Sequence, residues 1–294
     1  MPRTFLQKAA GALARSPLLR RNEVLFAENL RQWYLPLSKL GKLKLGLWLI
    51  LNDYSRGIFP PHFLDQQIAY QAEKDYRFSI PGITAAEVSR NNMTKPFWAG
   101  SLMQAYLEHF CRLVRCLELA GVKPPAKVLE IGCGGGWATE FLAIIGYDVC
   151  GTTISDDDIT DANRRIKSLE ARGLSPALKF VAAPMESVHT VVPAGTFDAV
   201  FVYEALHHAF DWRATLRSSH ACLKPGGWLL IANEPNLLHT CISYRVAKLS
   251  NTHEIGFSKC ELITELQQAG FRNIKSTGAT LHWWVRPHWL MAQK

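Results

Sequence analysis

A loop of three alternating glycines has the residue types and spacing of a cofactor site. Gly132, Gly134 and Gly136 follow Glu130 at regular intervals. Glycine allows a sharp turn and lets a ligand approach the backbone where a Cβ would collide. A helix that begins after the loop would present its free N–H groups to that ligand. The spacing excludes a dinucleotide fingerprint, because Trp137 stands where the third glycine of that fingerprint is required.

A second group of reactive residues lies about 70 positions further along the chain, at Glu204, His207 and His208. Histidine accepts and releases protons near neutral pH, so His208 and His207 are candidate general bases and Glu204 is a candidate to assist them. Imidazole and carboxylate are also ligand types for zinc and similar ions. No fourth ligand is evident in the sequence, and no metal site is predicted.

Strands alternating with helices must position these two groups. The glycine loop joins an apolar, β-branched run at 126–131 to a helical pattern that begins at Trp137. The predicted further strands are 148–154, 177–183, 197–203 and 227–233, and the predicted helices between them include 157–172 and 212–223. Such alternation predicts an α/β fold with a parallel sheet and helices on both faces. The histidines then follow the fourth strand, at the sheet edge where ligands bind.

The order of these motifs identifies a family resemblance. The acidic-x-Gly-x-Gly-x-Gly loop, the Pro-Gly-Gly turn at 225–227 and the Ala-Gly-Phe helix end at 269–271 resemble the class I S-adenosylmethionine-dependent methyltransferases. The resemblance covers about 95–285. It implies a doubly wound, Rossmann-like, seven-stranded sheet whose last hairpin is antiparallel, with strands at about 271–276 and 280–285.

The resemblance also implies which residues bind S-adenosylmethionine. Thr153 stands where the family usually has a ribose-binding acid, so Asp158 is predicted to reach the ribose instead. Pro184 stands near the position of the usual adenine-binding acid, which leaves Met185 and Glu186 for the adenine. The residues predicted to contact the cofactor are Glu130, Gly132, Cys133, Gly134, Gly136, Thr153, Ser155, Asp158, Met185, Glu186 and Tyr203. We expect Cys133 to fill space rather than to act as a nucleophile.

The implied activity is methylation of a hydroxyl oxygen on a small metabolite, a glycan precursor or a lipid. Two alternatives stay open at this point. One is a lipid enzyme that resembles C-methyltransferases or cyclopropane synthases, because the Thr-x-Ser ending of the second strand, Thr153 to Ser155, also occurs in the latter. The other is a catalytically silent scaffold that binds the cofactor. A nicotinamide-dependent oxidoreductase is disfavoured by the glycine spacing.

Composition restricts the partners of the protein. The 294 residues carry a formal net charge of +8, of which +7 falls in the first 60 residues. The remainder is almost neutral, so a nucleic-acid partner is not predicted. No apolar stretch approaches the roughly 18 residues that a membrane span requires. The seven cysteines are scattered without a Cys-x-x-Cys pair, which indicates free thiols in a reducing compartment.

The sequence divides into a basic, mostly helical segment at 1–95 and a methyltransferase domain at 96–294. Near the start, Phe5, Leu6, Ala9, Ala10 and Leu13 share one face of a predicted helix surrounded by Arg and Lys. This pattern fits contact of residues 1–60 with an anionic membrane surface. It also fits a mitochondrial transit peptide or a solvated helix packed beside the enzyme core. The predicted location is therefore cytoplasmic, peripheral at a membrane, or the mitochondrial matrix.

Overall fold

Seven strands form one sheet in the computed structural model, which describes residues 3–20, 37–59, 65–79, 83–98, 100–254, 256–277 and 287–294. The strands are β1 Lys127–Ile131, β2 Asp148–Thr153, β3 Leu178–Ala182, β4 Phe197–Tyr203, β5 Leu223–Glu234, β6 Arg272–Ser276 and β7 His288–Gln293. Their order across the sheet is β3-β2-β1-β4-β5-β7-β6. The reversal of order beside β1 and β4 creates the crevice in which α/β sheets bind ligands.

The pairing confirms a parallel sheet with an antiparallel final hairpin. Strands β1 to β5 pair in parallel, whereas β7 pairs antiparallel with both β5 and β6. The prediction for the seventh strand was wrong in position, because that strand occupies His288–Gln293 rather than 280–285. The predicted range lies outside the described residues. Buried Trp289, Leu290 and Met291 decide the strand, since they pack into the sheet core.

Helices cover both faces of the sheet. They are α1 Phe5–Ala14, α2 Lys39–Arg56, α3 Gln66–Lys74, α4 Tyr76–Ser79, α5 Ala85–Thr94, α6 Ser101–Leu119, α7 Trp137–Ile144, α8 Asp156–Ala171, α9 Trp212–Cys222, α10 Leu237–Ser250 and α11 Lys259–Gln268. Alternate side chains of each central strand enter opposite cores, so Leu129 and Ile131 pack on one face while Val128 packs on the other. This two-sided burial explains why the strands are apolar without alternation.

Helix α2 packs against α10, far along the chain, and α1 packs on α2. Ala14, Leu45, Trp48 and Leu49 form a small core with Tyr244, separate from the cores on the sheet. Close approach requires glycine, because a Cβ on Gly46 would lie only 1.4 Å from the carbonyl oxygen of Cys241. Helices α1 and α2 thus form a layer on the insertion that follows β5. The predicted boundary at residues 95 and 96 stays a prediction.

The amphipathic face predicted for α1 is divided in the fold. Ala10 is buried towards α2, whereas Phe5, Leu6 and Leu13 are 83%, 64% and 52% exposed. The large apolar side chains therefore contact solvent while the small ones make the helix contact. Among the described helices, none has the length and apolar character needed to cross a bilayer.

Helix α5 lies directly over the glycine loop. A Cβ on Gly135 would lie 2.9 Å from Cβ of Asn92, so this glycine allows α5 to touch the loop. The buried Arg165 of α8 binds both sides of this contact: it donates to the carbonyl oxygens of Gly135 at 2.7 Å, of Lys95 at 2.8 Å and of Asn92. It also pairs with Glu140. The end of the N-terminal segment is thereby attached to the loop.

Candidate active site

A cavity of about 330 Å³ opens at the carboxyl ends of β1, β2 and β4. Its walls come from two parts of the chain. The sheet and its loops contribute Glu130, Gly132, Cys133, Gly134, Thr153, Ser155, Asp158, Met185, Glu186, Tyr203, Glu204 and His208, and the N-terminal helices contribute Tyr70, Glu73, Lys74, Asn92 and Lys95. Most of the predicted site residues thus share one cavity. Gly136 and His207 are not among the lining residues.

The glycine loop forms a cradle that side chains would fill. Gly132 has a φ of +76°, and a Cβ there would lie 2.5 Å from Cβ of Ala205 and 2.9 Å from Cε of Met185. Gly134 has a φ of +49° and faces open space. The Cys133 thiol donates to the carbonyl oxygen of Gly134 at 3.5 Å, and burial raises the pKa of this thiol well above its ordinary value. A neutral, buried thiol fits the expected space-filling role.

Glu130 and Lys95 place opposite charges at the floor of the cavity. Burial raises the pKa of the Glu130 carboxyl to about 7, although the Thr139 hydroxyl that donates to it and the nearby Lys95 act in the other direction. Burial lowers the pKa of the Lys95 ammonium, against the effect of Glu204 and Glu130. Lys95 Nζ lies 4.4 Å from the centroid of the Tyr106 ring, a cation–π contact. No local motif in the sequence indicates a role for this lysine.

The second strand ends in the neutral side chains that the sequence indicates. Thr153 is buried, and Ser155 begins α8 by accepting the backbone N–H of Asp158 at 3.3 Å. The Asp158 carboxylate lines the cavity and accepts a hydrogen bond from Asn92 Nδ2 at 3.0 Å. Asp158 therefore faces the cavity, and its contact with a ribose stays a prediction. The contact with Asn92 ties it to the N-terminal helices.

Met185 and Glu186 follow β3 and line the same cavity. Glu186 already binds two groups: its Oε2 accepts the hydroxyl of Tyr70 at 2.8 Å, and its Oε1 accepts the backbone N–H of Asp211 at 3.1 Å. Its carboxylate therefore connects helix α3 to the start of α9. The predicted adenine contact is untested, and the carboxylate has a structural role in addition to it.

His207 is held by a fully buried carboxylate. Glu234 accepts the backbone N–H groups of Ala205 at 2.7 Å and Leu206 at 2.9 Å, and its Oε2 lies 2.8 Å from His207 Nδ1. Burial alone raises the pKa of the Glu234 carboxyl, but His207 and these backbone donors bring it below the ordinary value. A charged Glu234 fixes the imidazole and the turn that carries it.

His208 lies between two further carboxylates. Its Nδ1 is 3.4 Å from Glu73 Oε2 of α3, and its Nε2 is 3.9 Å from Glu254 Oε1 after α10. Burial lowers the pKa of this imidazole, but Glu73, Glu254 and Glu234 together raise it to about 9. Glu73 also accepts the backbone N–H of His253 at 3.1 Å. Three distant segments therefore meet at this histidine.

Strain marks the ends of β4 and β5. Glu204 and Asn233 both have left-handed backbones, with φ of +48° and +56°, and Asn233 donates its amide to the Glu204 carboxylate. Such conformations in residues other than glycine are uncommon and concentrate at functional sites. Beside them, the Tyr203 hydroxyl lies 2.9 Å from Nδ1 of His109 on α6. The predicted residues Tyr203 and Glu204 therefore lie together at the cavity wall.

Several site residues had no local signal in the sequence. Asn92, Lys95 and Glu73 lie on helices or turns of ordinary composition, and Glu254 lies in a loop. Each reaches the cavity or its histidines only because the N-terminal helices fold over the sheet. Glu234 is fully buried and positions the turn that carries His207.

Comparisons with known proteins agree with the geometry. The model of a family described as a methyltransferase domain matches residues 103–276. The ubiquinone biosynthesis O-methyltransferase of Bordetella avium is 32% identical over 170 residues, which cover 54% of this chain and 67% of that protein. The sterol 24-C-methyltransferase of Gibberella zeae is 37% identical over 129 residues, covering 42% of this chain and only 33% of that protein.

Solved structures support the fold. The magnesium protoporphyrin IX methyltransferase of Synechocystis, solved with bound S-adenosylhomocysteine, aligns with a TM-score of 0.59 and 18% identity. The alignment covers 77% of this chain and 99% of that protein. The YcgJ protein of Bacillus aligns with a TM-score of 0.53 and 15% identity, over 64% of this chain. At these identities the likeness concerns the fold.

Proposed function

Because the chain belongs to the S-adenosylmethionine-dependent methyltransferases of class I fold, we propose that it methylates a hydroxyl oxygen of a small acceptor molecule. The acceptor class is a small metabolite, a glycan precursor or a lipid. The observation that carries this proposal is a single cavity that joins the glycine cradle to the His207–His208 turn. One end suits the methyl donor, and the other offers groups that can take up a proton.

The residues at the donor end fit S-adenosylmethionine. The open space at Gly134 and the close packing at Gly132 form a cradle that a Cβ would obstruct. Glu130 and Lys95 provide opposite charges for the ammonium and carboxylate groups of the methionine part, and Asp158 provides acceptors for the ribose. When bound, the cofactor supplies an electrophilic methyl group whose bond to sulfur breaks, with its electron pair left on sulfur, as the acceptor oxygen bonds to the methyl carbon.

The other end of the cavity is proposed to bind the acceptor. Glu73 and Lys74 come from α3, whereas Glu204 and His208 follow β4. This mixture of carboxylates, imidazole and ammonium matches an acceptor with several hydroxyl groups better than an apolar one. Alignment of acceptor and donor would supply most of the rate, since the methyl group is already activated.

The acceptor proton is proposed to leave towards the unprotonated form of His208, which is the larger fraction only above about pH 9 because the neighbouring carboxylates raise the pKa of the imidazole. His208 lines the cavity, and Glu73 and Glu254 stand on either side of its ring. His207 is proposed as a positioning residue, because Glu234 holds its Nδ1. A His208→Ala variant with unchanged turnover would exclude His208 from the proton transfer. The matched variant His189→Ala, at a histidine bound to Ser218 outside the cavity, should keep full activity.

Calorimetry with S-adenosylhomocysteine tests the proposed function most directly. We expect one molecule to bind per chain with a micromolar Kd. If S-adenosylhomocysteine does not bind at high micromolar concentration, the proposed methyltransferase activity is overturned. Cell extracts incubated with the protein and methyl-labelled cofactor should then yield a labelled product. Binding without any labelled product would favour the silent scaffold.

A second candidate is methylation at carbon on a lipid. The similarity to a sterol 24-C-methyltransferase favours it. The two candidates differ in the product, because a methyl group on oxygen and one on carbon have well-separated carbon chemical shifts. NMR of the labelled product therefore decides between them.

We also propose that α1 contacts an anionic membrane surface, which would give the enzyme a peripheral location. Phe5, Leu6 and Leu13 are exposed on a segment, 3–20, that contains four basic residues and no acidic one. Exposed apolar groups with a surrounding positive charge are typical of interfacial helices. The charge identifies anionic lipid rather than neutral lipid as the contact.

Vesicle sedimentation tests this contact. The protein should pellet with vesicles containing phosphatidylglycerol, less so at high salt, and not with pure phosphatidylcholine. Joint replacement of Phe5→Ser and Leu6→Ser should abolish pelleting. The matched variant Leu119→Ser, at a leucine that is 67% exposed on α6, should leave it unchanged. Equal pelleting of the double variant and the natural protein would refute the contact.

A further inference from the structure

Two imidazoles and a carboxylate meet beside the acceptor end of the cavity. One ligand atom each from His207, His208 and Glu254 lies within 4.8 Å of the others. The two histidines follow β4, whereas Glu254 follows α10. We call these three residues the histidine–carboxylate cluster. No other group of three His, Cys, Asp or Glu residues with this geometry occurs in the part of the chain that the structure describes.

Buried hydrogen bonds orient the first histidine as they do in metal sites. Glu234 Oε2 lies 2.8 Å from His207 Nδ1, and Glu234 also binds the backbone of the same turn. A carboxylate on one ring nitrogen fixes the tautomer and leaves the other nitrogen, Nε2, free of a proton. Metal-binding histidines commonly have such a carboxylate on the nitrogen opposite to the metal.

The spacing of the second histidine and Glu254 also suits an ion. His208 Nε2 and Glu254 Oε1 are 3.9 Å apart, which is too long for a hydrogen bond. Two ligands bound to one ion at about 2.0–2.2 Å each lie roughly 3–4 Å apart, depending on their angle at the metal. Glu73 Oε2 lies 3.4 Å from the other ring nitrogen, Nδ1, and the two form an ion pair rather than a hydrogen bond.

We propose that the histidine–carboxylate cluster binds one divalent transition-metal ion. Two imidazoles and one carboxylate are a known ligand set for zinc, and such a set leaves a fourth position open. His208 lines the cavity, so the open position would face the acceptor. This last step rests on the proposed function, since it assigns the fourth position to an oxygen of the acceptor.

The ion would change which acceptors bind at this end of the cavity and which group takes up their proton. An acceptor with a hydroxyl next to a second oxygen, such as a vicinal diol, could bind the ion and be held at the carboxyl end of β4. In the metal-bound form His208 is a metal ligand and does not accept a proton. Glu73, which lines the same wall of the cavity, would then accept the proton of the acceptor hydroxyl. The cluster would then select acceptors by their oxygen pattern.

Metal titration of the full-length, chelator-treated protein tests the inference. Cobalt should bind one ion per chain with visible absorption bands of an imidazole-coordinated site, and zinc should displace it. Glu254→Gln should weaken zinc binding by at least about tenfold, and Glu234→Gln by about tenfold through the loss of ring orientation. The matched control Glu261→Gln, at an exposed glutamate paired with Arg213, should bind zinc like the natural protein.

The outcomes separate this inference from the proposed function. Calorimetry with S-adenosylhomocysteine on the same variants reports whether each still folds and binds the donor. Donor binding without stoichiometric cobalt binding would refute the metal site and leave the methyltransferase proposal intact. Zinc binding that is unchanged in Glu254→Gln would equally refute it. Metal binding without donor binding would overturn the proposed function while the site itself stands.

Discussion

The donor end and the acceptor end of the cavity are built in different ways. Most of the donor end comes from one stretch of chain, from Glu130 to Asp158, in which β1, the glycine loop and β2 follow one another, and Lys95 and Met185 are added from other segments. The acceptor end is assembled from Glu73, His208 and Glu254, which belong to three remote segments. A continuous motif therefore forms the donor end, and the packing of separate helices forms the acceptor end.

This difference indicates which parts of the chain can change in sequence without altering the donor end. The sheet and its glycine loop must hold the same cofactor whatever the acceptor is. The N-terminal helices and α10 are outer layers attached through a few contacts, such as Arg165 and Gly46. A change in these layers alters the acceptor end while the donor end keeps its form. Three substitutions and one titration test this difference.

The largest effect is expected from Gly132→Ala at the donor end. Its φ of +76° would cost an alanine about 1–2 kcal/mol. The Cβ would also collide with Ala205 and Met185, which adds about 1–3 kcal/mol. We expect the Kd for S-adenosylhomocysteine to rise by about a hundredfold or more, measured by calorimetry. The control Gly173→Ala has a similar φ of +78° but open space around it, so donor binding should survive there.

Gly46→Ala should give the next largest effect, and at the acceptor end only. The new Cβ would overlap the carbonyl oxygen of Cys241, so α2 must separate from α10 at a cost of about 3 kcal/mol. We expect faster proteolysis within α1 and α2, with the Kd for S-adenosylhomocysteine almost unchanged. Gly41→Ala, whose Cβ would meet only side chains, is the control. Equal loss of donor binding would show that the two ends are not independent.

A smaller effect should follow from the titration of Glu130. Its pKa is raised to about 7, so the carboxylate loses its charge as the pH falls through 7. If this charge holds the methionine ammonium, donor affinity should fall below pH 7 by up to about tenfold per pH unit. Calorimetry from pH 8 to pH 6 measures this dependence. Glu130→Gln should bind more weakly and lose the pH dependence, and an unaltered profile in that variant would contradict the assignment.

The smallest effect is expected from Tyr70→Phe, at the junction of the two ends. It removes the hydrogen bond from α3 to Glu186, worth about 1 kcal/mol. Hydrogen exchange in α3 should become about fivefold faster, because local opening costs less by that amount. Tyr147→Phe, which removes a hydroxyl bound to Val122 outside the cavity, should not affect α3.

Local pattern was enough to predict the fold and the cofactor. The apolar runs of β1 and β4 and the glycine spacing are contiguous, and their structure depends mainly on neighbours along the chain. The seventh strand was misplaced along the chain; β7 lies between β5 and β6, and the strand is recognised by the buried run from Trp289 to Ala292. The burial of Glu234 could not be predicted, because the groups that donate hydrogen bonds to its carboxylate are backbone N–H groups of a different loop.

The glycine positions alone indicate the cofactor class, because glycine is the residue type that adopts left-handed backbone conformations without strain. The groups that surround His208 depend on the tertiary structure. Glu73 and Glu254 are ordinary surface residue types until α3 and the loop after α10 bring them to the same ring. Electrostatic and metal-binding properties depend on distances of a few ångströms between remote side chains, and the fold alone sets those distances.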